Sequence, residues 1–534
     1  MSAVPAAATV TAWSPLRHKM FRALYTAQFA SNAGTFMQLV GAQWLMGDLG
    51  GSALEVSLIQ AATSLPVFLL VLPGGALGDI LDRRKLLLVA QGWMLIAAAA
   101  LAVLTAADAM TPVLLLALTF AIGTGTALTI PSFQAVMPEL VDRPEIRQAA
   151  ALNGVNFNVA RAVGPAIGGV VIAAAGPAWV FGANAISFLG TLAVIAAWRR
   201  EQPPRSFGVE HMWGAIVAGG RFVRSAPAFR AVLLRAALFM PFAGALWALL
   251  PVLARDELGL GSSGYGVMLG AVGIGAFAGA FLLPRMRERL PLNALIGVCS
   301  LLYGGATLVT AVVHVEAVVV AALVLAGLGW IGVLSSLNGS AQTLLPDWAR
   351  ARGLAYYTLT FQGAQTVGAI VWGSVAGIWG VEWAMGASAI GVGIGVAFGR
   401  RRPLVALDID LRPAGQWSEP HLVIEPNAQD GPVLVTVEWC VDETNADAFR
   451  EAMRAVERAR RRSGARRWGL YRDGAKPDRF IEAYTVATWE EHVRQQQRVT
   501  VRDREIEDRA RALARNGSEP EVRRYFGAFA EAGV

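Results

Sequence analysis

Arg161 stands near the middle of a long apolar run, 149–174. An ionisable side chain at membrane depth costs roughly 2.5–3.5 kcal/mol on insertion scales, so it has to face protein or a wet cavity. Two roles suit it: a partner for an anionic or oxygen-rich small molecule, or a structural donor to carbonyls and amides of neighbouring helices. Amides recur in other apolar runs. Gln28 and Asn32 lie in the first, Gln60 in the second, Asn153 and Asn156 beside Arg161, Asn338 and Gln342 in the tenth, and Gln362 and Gln365 in the eleventh. In lipid such groups turn inward, which makes Arg161, Gln28, Asn32, Gln60, Asn156, Asn338, Gln362 and Gln365 the candidates to line helix contacts or a central substrate cavity. No Asp or Glu lies near the centre of a run; Glu55, Asp79, Glu139 and Asp347 stand at ends. Proton coupling is thus left without a mid-span carboxylate.

Other chemistries find less support. The five histidines, His18, His211, His314, His421 and His492, are scattered outside the run centres, so no metal site is expected. Gly270, Gly273 and Gly275 fall within an apolar helix rather than after a strand, and no phosphate-binding loop is present. Neither ATP-driven transport nor a cofactor is expected. Cys299 and Cys440 imply no disulfide framework.

The elements that must position these groups follow from composition. Of 534 residues 55% are hydrophobic and only 16% charged, with a mean hydropathy of +0.47, which excludes a chain made mostly of water-soluble domains. A net charge of +7 raises nucleic acid as a partner, but the bases fall in short loops and in the tail. Apolar runs long enough to span a bilayer occur at 20–46, 53–78, 86–107, 112–137, 149–174 and 178–198, then at 230–254, 264–284, 291–313, 317–345, 353–379 and 382–399. The predicted fold is an all-α polytopic membrane protein with twelve transmembrane helices in two six-helix halves. The expected organisation is an N-terminal segment 1–19, a half 20–198, a linker 199–229, a half 230–402, a linker 403–431 and a small α+β domain 432–534.

Loop charges set the expected orientation. Alternate loops hold Arg83, Arg84 and Lys85; Arg143 and Arg147; Arg199, Arg200 and Arg205; Arg285, Arg287 and Arg289; Arg350 and Arg352; and Arg400, Arg401 and Arg402 follow the last run. The intervening loops hold Asp48, Asp108, Asp256, Glu257, Glu316 and Glu382, with Arg255 their only base. Positive charge stays on the cytoplasmic side, so both termini are expected there. Met1 to Ser14 precedes a first run too long for a signal peptide and without a cleavage site after it, so that run is expected to stay. The halves also echo one another: Gln134-x-x-x-Pro138-Glu139 returns as Gln342-x-x-x-Pro346-Asp347, 208 residues later.

In the tail, Pro432 to Val441 alternates like a strand, and Asn445 to Ser463 reads as a basic amphipathic helix. Arg467 to Arg472 and Arg479 to Val486 read as strands around Asp473-Gly474, and Thr488 to Arg515 as a helix. This order suggests a cytoplasmic α+β domain of ferredoxin-like type. Its pattern resembles dimeric α+β barrels, some of them monooxygenases. His492 has no nucleophile, metal set or cofactor loop around it in the sequence, so regulation or dimerisation is expected of the domain.

The loop Leu72 to Lys85 resembles the signature of the major facilitator superfamily, with Gly75, Asp79, Arg84 and Lys85 in place. Ile80 and Asp82 depart from it, at positions where a base and a glycine are usual. Gly164-Pro165-Ala166-Ile167-Gly168-Gly169 resembles the fifth-helix motif of drug-exporting antiporters, with Ala151 and Ala160 at its earlier glycines. The segment from Pro131 through Asn153-Gly154 into Arg161 is similar to the enterobactin-exporter-like branch, the transmembrane secretion effector family. That resemblance covers roughly 15–400 and implies a non-enzymatic transporter of a bacterial inner membrane, moving a siderophore or amphipathic drug outward by alternating access with proton antiport. It also implies that Asp79, with Arg83, Arg84, Lys85, Arg350 and Arg352, gates the cytoplasmic side. A membrane-tethered enzyme or sensor acting through the tail, and an importer on the same fold, are the alternatives.

Overall fold

The computed structural model describes residues 11–80, 82–199, 212–404, 410–412, 414, 422–424, 426–515 and 520–527; within these, the side chains of 75–80, 135, 138, 143, 147, 212–218, 347 and 351 are not described. The first series of helices is α1 (Lys19–Asp48), α2 (Ala53–Ile80), α3 (Arg83–Ala106), α4 (Pro112–Val136), α5 (Ile146–Ala175) and α6 (Pro177–Ala197). After α7 (Met212–Ser225) a second series follows: α8 (Pro227–Val252), α9 (Ser262–Arg289), α10 (Leu292–Val312), α11 (Glu316–Thr343), α12 (Asp347–Trp379) and α13 (Val381–Arg400). Among the described residues ten helices are long and apolar enough to cross a membrane. The expectation of twelve therefore stands at ten by length and composition. The other two are α1, 30 residues long, and α12, 33 residues long. Both are diluted by polar side chains, Gln28, Asn32, Gln38 and Gln43 in one and Thr358, Thr360, Gln362, Gln365 and Thr366 in the other.

Helix ends follow local chemistry. Asp82 caps α3 by accepting from the Lys85 N–H at 3.1 Å, and Thr111 caps α4 by accepting from the Leu114 N–H at 3.3 Å. The chain turns at Gly176 (φ 87°) between α5 and α6, and at Gly380 (φ 93°) between α12 and α13. A side chain is strained at such a φ, and the same device stands at the matching joint of both series.

The chain divides into two compact units: Met1–Met212 with Leu233–Gly339 and Tyr357–Leu404, and Trp213–Val232 with Ser340–Tyr356 and Val405–Val534. In the first, α1 packs on α5 and α6, α2 on α4, α3 on α4 and α6, α10 on α13, and α5 on α9. That last contact joins the two series. A broad set of apolar side chains, among them Val89, Ile96, Val170, Ile186, Ile274, Phe281 and Ile390, stays exposed, as a lipid-facing surface requires.

The second unit holds a four-stranded sheet: β1 (Val433–Cys440), β2 (Gly469–Arg472), β3 (Arg479–Val486) and β4 (Glu521–Phe526), in the order β2-β3-β1-β4 with every neighbour antiparallel. Alternation in β1 buries Val433, Val435, Val437 and Trp439, which pack with Phe449, Met453 and Val456 of α14 (Ala446–Ser463). Each large side chain so buried contributes roughly 1.5–3 kcal/mol. The helix expected over 488–515 is two, α15 (Trp489–Gln497) and α16 (Val501–Arg511). Thr500 starts the second with a capping box to Asp503. Outside the sheet, Arg221 lies 3.6 Å from Glu491 of α15, and Arg498 sits 5.0 Å from the ring centroid of Trp348.

This domain buries charge. Glu482 is fully buried and its Oε1 accepts from Arg460 Nε and from Trp468 Nε1, both at 3.0 Å, while Arg460 Nη2 donates to Glu507 at 3.1 Å. Arg460 holds the Glu507 carboxyl below its usual range. The His492 imidazole, whose Nε2 accepts from Arg524 Nε at 3.2 Å, is pushed down from 6.5 to about 4, first by burial and then by the Arg524 charge. The unfolded chain binds the extra proton first, so stability is complete above pH 6.5 and is lost as pH falls through that window toward 4. Glu507 acts in the same direction at lower pH. We expect native-state hydrogen exchange of the β1 and β3 amides to show an opening free energy about 2 kcal/mol lower at pH 5 than at pH 7. His492→Gln, which keeps an acceptor for Arg524, should remove most of that difference; an equal loss in both proteins would contradict the assignment.

Candidate functional site

Arg161 lies halfway along α5, and its neighbours are aromatic. Its guanidinium carbon is 4.9 Å from the ring centroid of Phe157, 5.5 Å from Phe36 of α1 and 6.0 Å from Trp330 of α11. Tyr357 of α12 is close enough to interact with its charge. Phe157 precedes Arg161 by one helical turn, so both share a face. A cation over a ring gains about 0.5–1 kcal/mol when exposed and about 2 or more when desolvated. Three rings therefore offset much of the insertion cost without using N–H donors. Among the described residues no carboxylate pairs with Arg161.

Trp330 extends the site into an aromatic cluster. Its ring centroid lies 5.3 Å from that of Trp247, 5.7 Å from Tyr303 and 6.1 Å from Phe239. Tyr303 donates to the Ala243 carbonyl at 2.7 Å. The indole N–H groups of Trp247 and Trp330 are buried and, among the described residues, without an acceptor. Cation and idle donors together suit an aromatic or apolar ligand bearing negative or oxygen-rich groups.

The other residues singled out in the sequence divide. Gln28 Nε2 donates to Asn32 Oδ1 at 3.0 Å, Asn32 Nδ2 to Asn156 Oδ1 at 3.1 Å, and Asn156 Nδ2 to the Tyr25 carbonyl at 2.8 Å. These three amides fasten α1 to α5. Gln60 is buried, Gln362 and Gln365 are half-buried, and Asn338 is exposed. Near them the Ser64 and Thr366 hydroxyls lie 2.7 Å apart between α2 and α12; one donates to the other, which donates in turn to the carbonyl one turn back on its own helix, Gln60 for Ser64 or Gln362 for Thr366.

Gly75 and Asp79 lie in α2 but among the side chains not described. Arg83 Nη1 is 2.9 Å from Glu139, and Arg84 donates to the Ile195 and Ala196 carbonyls at 3.1 and 2.6 Å, capping the end of α6. Lys85 donates its backbone N–H to Asp82. Asp82, standing where glycine is usual, is thus the cap of α3. Arg350 is exposed and Arg352 half-buried in the first turns of α12. Of the histidines, His18 lies 2.6 Å from Glu145 and His314 2.8 Å from Glu382; His211 and His421 lie outside the described residues.

In the helix-5 motif, Pro165 is buried. A Cβ on Gly164 would come within 2.8 Å of the Ala33 carbonyl and the Phe36 Cβ, and one on Gly168 within 3.1 Å of Met37 Cα. Gly169 faces the other series: a Cβ there would collide with the backbone of Gly266 in α9, as one on Gly273 would with that of Ala162. Two glycines hold α5 to α1 and the third makes the seam with α9.

Sequence reasoning missed a lock at the end bearing the α1–α2 loop. Asp48 pairs with Arg255, whose guanidinium also stacks on Trp44 at 4.7 Å. Gln43 accepts from Tyr265 at 2.9 Å and donates to the Trp247 carbonyl at 3.1 Å. The one base in the acidic loops was the available signal. For the aromatic walls, the spacing of Phe157 and Arg161 was another.

A family model described as transmembrane secretion effector matches residues 10–531. The enterobactin exporter EntS of Escherichia coli O1:K1 / APEC is 26% identical over 366 residues, covering 67% of this chain and 85% of that protein. EntS of Salmonella typhimurium is 25% identical over 366 residues, covering 67% and 86%. A crystal structure of a bacterial homologue of the human lysosomal transporter Spinster, inward-facing and unoccupied, superposes with a TM-score of 0.58 at 15% identity, covering 72% of this chain and 96% of that one.

The Gly169–Gly266 seam can be tested by bulk. Gly169→Val should destabilise the purified protein by about 1–3 kcal/mol, read as a lower Tm. Gly182→Val, at a helical glycine with nothing within 4 Å, should leave Tm unchanged; equal shifts in the two variants would contradict a seam.

Proposed function

The chain belongs to the transmembrane secretion effector family of the major facilitator superfamily, and from that premise we propose that it exports a small amphipathic anion, siderophore or drug-like, by alternating access with proton antiport. It is a multi-pass membrane transporter and not an enzyme. The observation that carries the cargo class is Arg161 at mid-helix, walled by Phe36, Phe157 and Trp330 and unpaired with any described carboxylate. Charge selects the anion, and the rings take its apolar body. The name of the relatives, enterobactin exporter, adds siderophores to the cargo expected here.

In this reading α1 and α12 complete twelve spans, and both termini are cytoplasmic because the bases alternate from loop to loop. The Asp48–Arg255 lock then closes the periplasmic end. The halves rock about the α5–α9 seam around the site, as in transporters built from six-helix repeats. Closure of the cytoplasmic side by Asp79, Arg350 and Arg352 rests on the family's loop signature. Antiport rests on the helix-5 motif. The tail, by its strand order, is read as a ferredoxin-like domain that regulates transport or pairs two copies.

Uptake into inside-out vesicles tests the proposal. Enterobactin and a panel of amphipathic acids should accumulate when a proton gradient is present, and a protonophore should abolish it. Arg161→Gln should lower accumulation of the acids at least about tenfold, the loss of one charge-assisted contact, with Arg161→Lys intermediate and uncharged analogues unaffected. Accumulation indifferent to the gradient would remove the antiport, and equal loss for acids and neutral analogues would remove the role of Arg161.

A further inference from the structure

The C-terminal domain contains a cavity of about 510 Å³ that transport leaves unexplained. Its volume falls within the roughly 300–1,000 Å³ of small-molecule sites. Strands β1, β3 and β4 supply Val437, Tyr484, Val522 and Arg524; α14 and α16 supply the charged remainder. Val437 and Tyr484 are each 2% exposed, which makes an apolar and aromatic floor. Burial pushes the Tyr484 phenol up to about 12, so it remains a neutral hydrogen-bond donor.

The charges around this floor do not cancel. Arg460 is matched by Glu482 and Glu507, and Arg511 lies 3.5 Å from Asp508. Arg504 and Arg524 also line the cavity; Arg504 adds its charge to those of Arg460 and Arg511 around Glu507, while Arg524 forms no ion pair among the described residues. Arg524 is half-buried, and its Nε is spent on the His492 ring, which stays neutral near pH 7. Two guanidinium groups over a buried aromatic floor is the arrangement that planar acids recognise.

We propose that this cavity binds a small organic carboxylate with an aromatic or apolar body. Its acid group faces Arg524, with Arg504 adding positive potential, and its body rests on Tyr484 and Val437. The site shares no residue with the Arg161 cluster and does not depend on the cargo assigned above.

Fluorine NMR of the full chain in lipid nanodiscs tests it, with para-fluorobenzoate as probe and para-fluorobenzamide as its uncharged counterpart. The acid should broaden and the amide should not. Broadening should persist in Arg161→Gln, which separates this site from the central one, and weaken at least about tenfold when the Arg504→Gln/Arg524→Gln pair is added on that Arg161→Gln background. Arg504→Gln alone, an exposed change that leaves the fold intact, should weaken it a few-fold and decides the matter if the double variant unfolds. Absence of broadening, equal broadening by the amide, loss in Arg161→Gln, or unchanged binding in the single and double arginine variants would each overturn the proposal.

Discussion

In a bilayer core no water is present to take up a spare donor or acceptor, so each polar group inside a span has to find its partner within the protein. Much of the first unit reads as an answer to that constraint. Gln28, Asn32 and Asn156 form a chain of hydrogen bonds between α1 and α5, Ser64 and Thr366 meet between α2 and α12, and Gln43 and Tyr265 between α1 and α9. Where no polar partner is supplied, rings stand in. Arg161 is held by the faces of three aromatic side chains, which stabilise its charge without occupying its hydrogen-bond donors. A group satisfied in this way remains able to meet a ligand.

The contacts between the two series of helices are of two kinds. Polar contacts are strong but discrete, and glycine contacts such as Gly169 against Gly266 are close but non-directional. An interface of this kind has a few positions where partners match rather than a continuum. Asp48 with Arg255, backed by Trp44, is one such match. It joins the series at one end of the bundle while the Arg161 cluster sits at half depth.

How much of this was legible differs between the units. Apolar runs gave helix limits to within a few residues, 53–78 against Ala53–Ile80 and 112–137 against Pro112–Val136, because a span has only one way to satisfy its backbone. The polar residues of α1 and α12 were legible too, and they are what removes those helices from the ten that qualify on composition. Contacts between helices far apart in the chain were not. Phe36 and Trp330 look like any lipid-facing ring until α1, α5 and α11 are brought together. In the tail, β1 and β3 were legible from alternation, whereas β4, with Arg523 and Arg524 in its six residues, is a strand because the edge of β1 pairs with it. The break between α15 and α16 turns on one capping box at Thr500, hidden in a sequence that is helix-forming on either side.

The proposed rocking of the two helix series about the Arg161 site is tested most directly by electron–electron distance measurement between spin labels at Ala107 and Val315, one in each series at the end where Asp48 pairs with Arg255. Adding an exported acid, or imposing a proton gradient in proteoliposomes, should populate a second and longer distance that is rare in its absence and that Arg161→Gln suppresses. A single distance, unchanged while cargo is being moved, would contradict it.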